Sequence, residues 1–217
     1  MPVESLTKKK IRMKNIVSNL KKEYPDSKCS LQYESSFQLL TATILSAQCT
    51  DERVNKVAKG MFSKYPSPND IANLSIETIK KEIYSTGFYN NKAKSIKTMA
   101  ETVVNDYGGN LPNNLAEMVK LPGVGRKTAN VVLGTIHGIP SIVVDTHVTR
   151  ITNLLKFVKT KNAVKIEYKL SKLINKNDWT LFAHLLIDHG RAVCIANRPQ
   201  CHKCIIADYC PSKKGDK

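Results

Sequence analysis

The residues with the clearest chemical potential are four cysteines near the end of the chain. Cys194, Cys201, Cys204 and Cys210 are separated by six, two and five residues. Thiolates so close in sequence are typical ligands of tetrahedral zinc or of an iron–sulfur cluster. Zinc ribbons usually carry two Cys-x2-Cys knuckles, whereas this segment has one. The spacing therefore favours a 4Fe–4S cluster and leaves zinc as the alternative.

A glycine-rich turn is the second candidate site, at Leu121-Pro122-Gly123-Val124-Gly125-Arg126-Lys127. We expect a short helix before it, at 114–120, and an apolar helix after it, at about 126–136. The two glycines allow a tight turn and a close backbone approach, and the first amides of the second helix can bind phosphate. A Walker loop needs Gly directly before Lys-Thr, and a dinucleotide-binding loop follows a strand, so neither fits this segment.

Asp145 is the third candidate, in the segment Val143-Val144-Asp145-Thr146-His147-Val148. It directly precedes a predicted helix at 146–155, where a carboxylate caps the helix amides and stays ionised. Most aspartates at such positions are structural, so the position alone does not indicate catalysis.

Composition and patterning predict a helical protein with a polyanionic partner. The 217 residues include 34 Lys and Arg against 18 Asp and Glu, a net charge of +16, which favours nucleic acid before anionic membrane. Apolar residues recur at helical spacing, as at Met13, Ile16 and Leu20, and only Ser141–Val144 is strand-like. This helical spacing predicts an all-α protein. No apolar run can span a membrane and Met1–Lys14 does not resemble a secretory signal, so we expect the protein inside the cell, in cytoplasm or nucleoid.

The three features, in this order, resemble the endonuclease III family of DNA glycosylases. The likeness extends from about residue 20 to residue 211. It includes the segments Leu45-Ser46-Ala47-Gln48-Cys49-Thr50-Asp51, Gly87-Phe88-Tyr89-Asn90-Asn91-Lys92-Ala93 and His189-Gly190-Arg191. So many separated matches do not arise by chance.

The resemblance implies two helical domains with a DNA cleft between them. One is a six-helix bundle at 30–139, whose helix–hairpin–helix lies at about 114–136. The other is discontinuous, built from 2–29 plus 140–217, and it holds a 4Fe–4S cluster on the loop 194–210.

The resemblance also implies an activity in base excision repair. The enzyme would remove oxidised pyrimidines from duplex DNA through a Schiff base on Lys127 and cleave the abasic site by β-elimination, with Asp145 as the partner of the lysine. At neutral pH only about one free lysine in 2,500 is uncharged. The helix N-terminus and the neighbouring Arg126 both disfavour the ammonium form, which suits a nucleophilic amine.

Further residues would contact DNA by the same resemblance. Gln48 would fill the gap left by the extruded nucleotide, Phe88 would wedge into the base stack, and the turn would hold the backbone through Gly123, Val124 and Gly125. A closely similar family member has Leu where this chain has Phe88. Because an aromatic ring can stack on bases, Phe88 could still act as the wedge. The alternative is that Phe88 is an aromatic residue of the core. We expect double-stranded DNA with a damaged base or abasic site as partner, no membrane, and a monomer.

Two other functions stay open. A monofunctional or mismatch-specific glycosylase would share this architecture, although the adenine-mismatch enzymes lack a lysine at the position of Lys127. A non-enzymatic helix–hairpin–helix module that binds DNA and holds a structural metal would need neither Lys127 nor Asp145.

Overall fold

A computed structural model describes residues 4–213, so the predicted domain ends at 2–3 and 214–217 lie outside the described residues. This part of the chain forms eleven α-helices joined by loops and short 3-10 turns, and it contains no β-strand. The all-α prediction is therefore confirmed. The strand-like stretch Ser141–Val144 is buried but forms no strand. Within residues 4–213, no helix has the length and apolar character needed to cross a bilayer.

The chain divides into two compact units. Ser30–Ile139 forms one of them, here called the bundle unit. Residues 4–29 and 140–213 together form the other, here called the cysteine unit.

Seven helical segments make up the bundle unit, against the six expected, and two of them are single turns. They are α2 (Ser36–Leu45), α3 (Asp51–Phe62), α4 (Pro68–Ala72), α5 (Ile76–Ile83), α6 (Tyr89–Tyr107), α7 (Leu115–Met118) and α8 (Arg126–Ile136). Helix α2 is buried from Phe37 to Leu45, as expected of a helix that is apolar on most sides. It packs against α3, α6 and α8 and so forms the centre of the bundle.

The helix–hairpin–helix consists of α7 and α8. Asn114 begins α7 by accepting a hydrogen bond from the amide of Glu117, and Gly125 precedes α8. On α8, Ala129, Val132 and Leu133 are buried, and the helix packs against α2 and α7. This packing fixes the helix that carries Lys127.

The cysteine unit contains α1 (Leu6–Glu23), α9 (Thr146–Leu154), α10 (Ala163–Ser171) and α11 (Trp179–Ala192). Helix α11 packs against α1 and α9. Arg12 on α1 anchors the last part of the unit, since its Nη1 donates to the carbonyl oxygens of Leu155 and Tyr209 at 2.9 and 3.0 Å. The backbone beside Cys210 is thereby joined to α1.

Candidate functional site

The turn between α7 and α8 requires glycine at position 123. Gly123 has a φ of +76°, and a Cβ atom there would lie 2.6 Å from Cβ of Ser95 on α6. Gly125 is extended and provides no side-chain cap, so no capping side chain competes for the amides that begin α8. Val124 has a buried side chain, and its amide donates to the carbonyl oxygen of Leu121 at 3.1 Å. The buried Val124 side chain and this hydrogen bond therefore fix the turn. The first residues of α8 are exposed to solvent.

Lys127 is the second residue of α8, and its side chain is exposed. The buried residues of α8 face the bundle, so Lys127 lies at the solvent side of the first turn. The amides of a helix N-terminus carry a partial positive charge that attracts phosphate. Lys127 is therefore an exposed amine beside a helix end whose polarity suits a phosphate.

Asp145 caps α9, as predicted. Its Oδ1 accepts a hydrogen bond from the amide of Val148 at 2.8 Å, and the residue is half-buried. The preceding stretch, Ser141–Val144, is buried and fixes the backbone that leads into the cap. The structure thus explains why a capping side chain stands at this position.

Gln48 and Phe88 share two features within the bundle unit. Both side chains are exposed, and both backbones are left-handed, with φ of +53° for Gln48 and +50° for Phe88. Gln48 lies in the loop between α2 and α3, whereas Phe88 is the N-cap residue of α6. Because Phe88 is 62% exposed, the alternative that it is a core aromatic is wrong. Left-handed non-glycine residues concentrate at functional sites, where surrounding structure holds them.

The four cysteines line one cavity of about 240 Å³ inside the cysteine unit. Cys194 follows the end of α11. Cys201 begins a 3-10 turn that Cys204 directly follows, and Cys210 directly follows a second 3-10 turn. All four are half-buried. Burial raises the pKa of the Cys194 thiol and raises that of Cys204 to about 11, and the neighbouring thiols add to both shifts.

Two basic side chains that the sequence did not single out contact these cysteines. Nη1 of Arg150 donates to the carbonyl oxygen of Cys194 and lies 3.5 Å from its Sγ. Nε2 of His189 lies 3.4 Å from Sγ of Cys204, and its Nδ1 lies 3.1 Å from the hydroxyl of Tyr24. Burial lowers the pKa of His189 to about 4, so its ring is neutral at neutral pH. His189 belongs to the segment His189-Gly190-Arg191 that resembles the endonuclease III family, so the sequence did offer a signal for it. No local sequence pattern indicated Arg150.

The donor chemistry of the cavity suits an iron–sulfur cluster. Its lining combines four thiols with apolar side chains, among them Ile151, Leu155 and Ile206. Its volume is several times the roughly 30 Å³ that one water molecule occupies in the liquid. Among residues 4–213, no three or more His, Cys, Asp or Glu side chains form a group that could hold a metal ion. All four cysteines nevertheless line this one cavity.

Comparisons with known proteins agree with this geometry. Residues 41–176 match the family described as HhH-GPD superfamily base excision DNA repair protein. The endonuclease III of Synechocystis sp. is 46% identical over 97% of this chain and 96% of its own. A trapped covalent intermediate of an endonuclease III with DNA is 40% identical, with a TM-score of 0.90 over 94% of this chain and 96% of that one. A thermostable thymine-DNA glycosylase is 25% identical, with a TM-score of 0.85 over 97% of this chain and 99% of that one.

These matches span nearly the whole chain, and they cover the turn before Lys127, the cap at Asp145 and the helices around them. The all-helical fold with two compact units is that of the matched structures. The chain therefore belongs to the HhH-GPD superfamily of base excision DNA repair proteins, and within it to the endonuclease III family.

Proposed function

We propose that this protein is a DNA glycosylase with abasic-site lyase activity, and that it removes oxidised pyrimidines from duplex DNA in base excision repair. One observation carries the proposal. An exposed lysine, Lys127, lies in the first turn of a helix whose N-terminus follows the turn Gly123-Val124-Gly125. A DNA phosphate bound at that helix end would bring the adjacent sugar within reach of the amine.

The reaction follows from amine chemistry. The neutral Nζ of Lys127 attacks C1′ of the damaged nucleotide, and the bond from C1′ to the base breaks as the base leaves with its electron pair. Loss of the amine proton and opening of the sugar ring give a Schiff base. Its iminium form acidifies the C2′ proton, and β-elimination then breaks the bond from C3′ to the 3′ phosphate. Water releases the lysine.

Asp145 is the partner of Lys127 in this proposal. Its carboxylate would accept the proton that the amine loses or stabilise positive charge on the sugar. Its capping contact with Val148 fixes the direction of the carboxylate.

Base chemistry in a duplex requires extrusion of the nucleotide. We assign Gln48 to the gap that the extruded nucleotide leaves and Phe88 to a wedge between bases, since both side chains are exposed and both backbones are left-handed. The turn at Gly123, Val124 and Gly125 would hold the backbone, with the buried Val124 side chain as its anchor. The net charge of +16 favours duplex DNA as the partner. We propose that the protein binds it as a monomer.

Cys194, Cys201, Cys204 and Cys210 would hold a 4Fe–4S cluster in the proposed protein. Such a cluster would cross-link the last loop of the cysteine unit and can exchange electrons. The side chains of Arg198 and Lys203 in this loop, and of Lys213 just after it, are exposed. In the proposed protein they would contact phosphate. Support comes from the shared cavity and from the thiol donors.

Borohydride trapping on a duplex with one abasic site tests the proposal. The intact protein should form a covalent adduct with the DNA, and Lys127→Gln should abolish the adduct without weakening DNA binding. Lys120→Gln is the matched control, because Lys120 is an exposed lysine of the same hairpin. An intact protein that binds the duplex without forming an adduct would leave only a monofunctional glycosylase or a binding module.

A second candidate function is removal of thymine from mismatches, which the likeness to a thymine-DNA glycosylase favours. Duplexes with an oxidised pyrimidine and with a thymine mismatch separate the two candidates. Under single-turnover conditions, faster release of the oxidised pyrimidine supports the main proposal, and faster release of thymine supports the second.

A further inference from the structure

Lys92 is the only lysine or arginine that is buried in the described part of the chain. It lies in the first turn of α6, and only 5% of its surface is exposed. Burial removes water from an ammonium group, and the positive end of a helix adds a second penalty. Loss of water accordingly lowers the pKa of Lys92. A cation at this position needs compensating contacts.

Two backbone carbonyl groups compensate the buried ammonium. Nζ of Lys92 donates to the carbonyl oxygen of Leu45 at 2.8 Å and to that of Thr86 at 2.9 Å. Leu45 is the last residue of α2, where carbonyl groups have no partner within the helix. Thr86 is the last residue of the 3-10 turn Tyr84–Thr86. One side chain therefore joins the ends of two elements that are distant in sequence.

The two joined ends lead directly to the residues assigned to the DNA stack. Gln48 follows Leu45 by three residues, and Phe88 follows Thr86 by two. Both residues have the left-handed backbone conformation, which a non-glycine residue keeps only where the surrounding structure enforces it. Hydrogen bonds from Lys92 restrain the backbone just before each of them.

We propose that Lys92 is a positioning residue that holds the loops of Gln48 and Phe88 in the conformation needed to enter the DNA stack. The role of the two loops in DNA binding rests on the proposed function, whereas their restraint by the hydrogen bonds of Lys92 does not. Methionine at position 92 would fill a similar space and leave both carbonyl oxygens without this donor. The loops would then sample other conformations, and Gln48 and Phe88 would lose the orientation that the proposed insertion needs.

Hydrogen exchange of the free protein tests the restraint without any activity. In Lys92→Met, amides at 46–50 and 86–89 should exchange about tenfold faster or more, because local opening no longer breaks two charge-assisted hydrogen bonds. Lys97→Met is the matched control, since Lys97 lies on the same helix but donates to Ala72 on α4 and pairs with Glu101. Unchanged exchange in both segments, or a uniform rise over the whole bundle unit, would overturn the proposal.

Kinetics test whether the restraint acts through the two loops. Lys92→Met should slow single-turnover cleavage of an abasic duplex by about tenfold, a loss of about 1.4 kcal/mol in transition-state stabilisation. In a Gln48→Ala, Phe88→Ala background the same change should have little further effect, because residues that act together are not additive. An equal slowing in both backgrounds contradicts a positioning role.

Two further arms keep the test decisive. Should Lys92→Met not fold, Lys92→Gln retains one donor group, and the same exchange and kinetic patterns are expected with smaller amplitudes. Lys92→Arg, which keeps the charge and the donors, should recover part of the duplex cleavage rate. An intact protein without lyase activity would refute the proposed function, while the exchange measurement would still decide whether Lys92 holds the loops.

Discussion

Gly190 lies against the imidazole ring of His147, so closely that a Cβ atom on residue 190 would stand 2.4 Å from Nδ1 of the histidine. Gly190 is near the end of α11 and His147 is in the first turn of α9. The same Nδ1 lies 3.3 Å from Nη2 of Arg150, which also contacts Cys194. Glycine at position 190 therefore leaves room for the side chains of His147 and Arg150. These two side chains connect the start of α9, two residues after Asp145, to Cys194 in the cysteine loop.

Gly190→Ala should destabilise the protein by about 1–3 kcal/mol in the free energy of unfolding, because the new methyl group must displace His147 or separate the two helices. Urea unfolding of the purified variant measures this loss. Gly60→Ala is the control, since Gly60 lies in α3 and a Cβ atom there meets nothing within 4 Å. That substitution should stabilise the protein by about 0.5–1 kcal/mol. Unchanged stability of Gly190→Ala would contradict the tight contact.

Asp145 has a capping role and a proposed catalytic role, and two substitutions separate them. Asn caps as well as Asp, so Asp145→Asn should change the free energy of unfolding by only a few tenths of a kcal/mol, whereas Asp145→Ala should lose about 1 kcal/mol. Removal of the charge alone should slow base release by about a hundredfold or more. Single-turnover base release and urea unfolding measure the two effects. An Asp145→Asn variant with the rate of the unmodified protein would show that the residue only caps α9.

The cysteine cavity predicts the metal content of the protein. Purified protein should be brown and contain about four iron atoms per chain, the stoichiometry of a 4Fe–4S cluster. Cys204→Ser should lose most of the iron and the visible absorption. Cys49→Ser should keep both, because Cys49 belongs to the bundle unit. Colourless protein that contains zinc would refute the cluster assignment.

Acidification should destabilise the protein in part through His184 on α11. Burial lowers the pKa of His184, and the nearby Asp188 and Asp145 only partly oppose this shift. The unfolded chain therefore takes up the proton first. The free energy of unfolding should be highest above the unfolded pKa of about 6.5 and should fall as the pH drops below it.

Urea midpoints at about pH 7.5 and about pH 5.5 measure this effect, on either side of the unfolded histidine pKa. The loss between the two conditions should be smaller in His184→Gln than in the unmodified protein. Equal losses would show that the burial of His184 does not contribute to acid sensitivity.

Local features of the sequence determined the helices and the chemical groups. Periodic apolar residues such as Met13, Ile16 and Leu20 predicted α1, and all three are buried. Capping preferences located the start of α9 at Asp145, and the start of α8 was predicted directly after Gly125. These signals are readable because helix periodicity and caps depend on residues within a few positions of one another.

Contacts between distant residues were decided only by the tertiary structure. Gly123 must be glycine because of Ser95 on α6, and Gly190 because of His147 on α9. Lys92 looked like any surface lysine until the ends of α2 and of the turn before Phe88 met at its ammonium group. Burial and close approach depend on which elements pack together, and neither is encoded in the spacing of neighbouring residues.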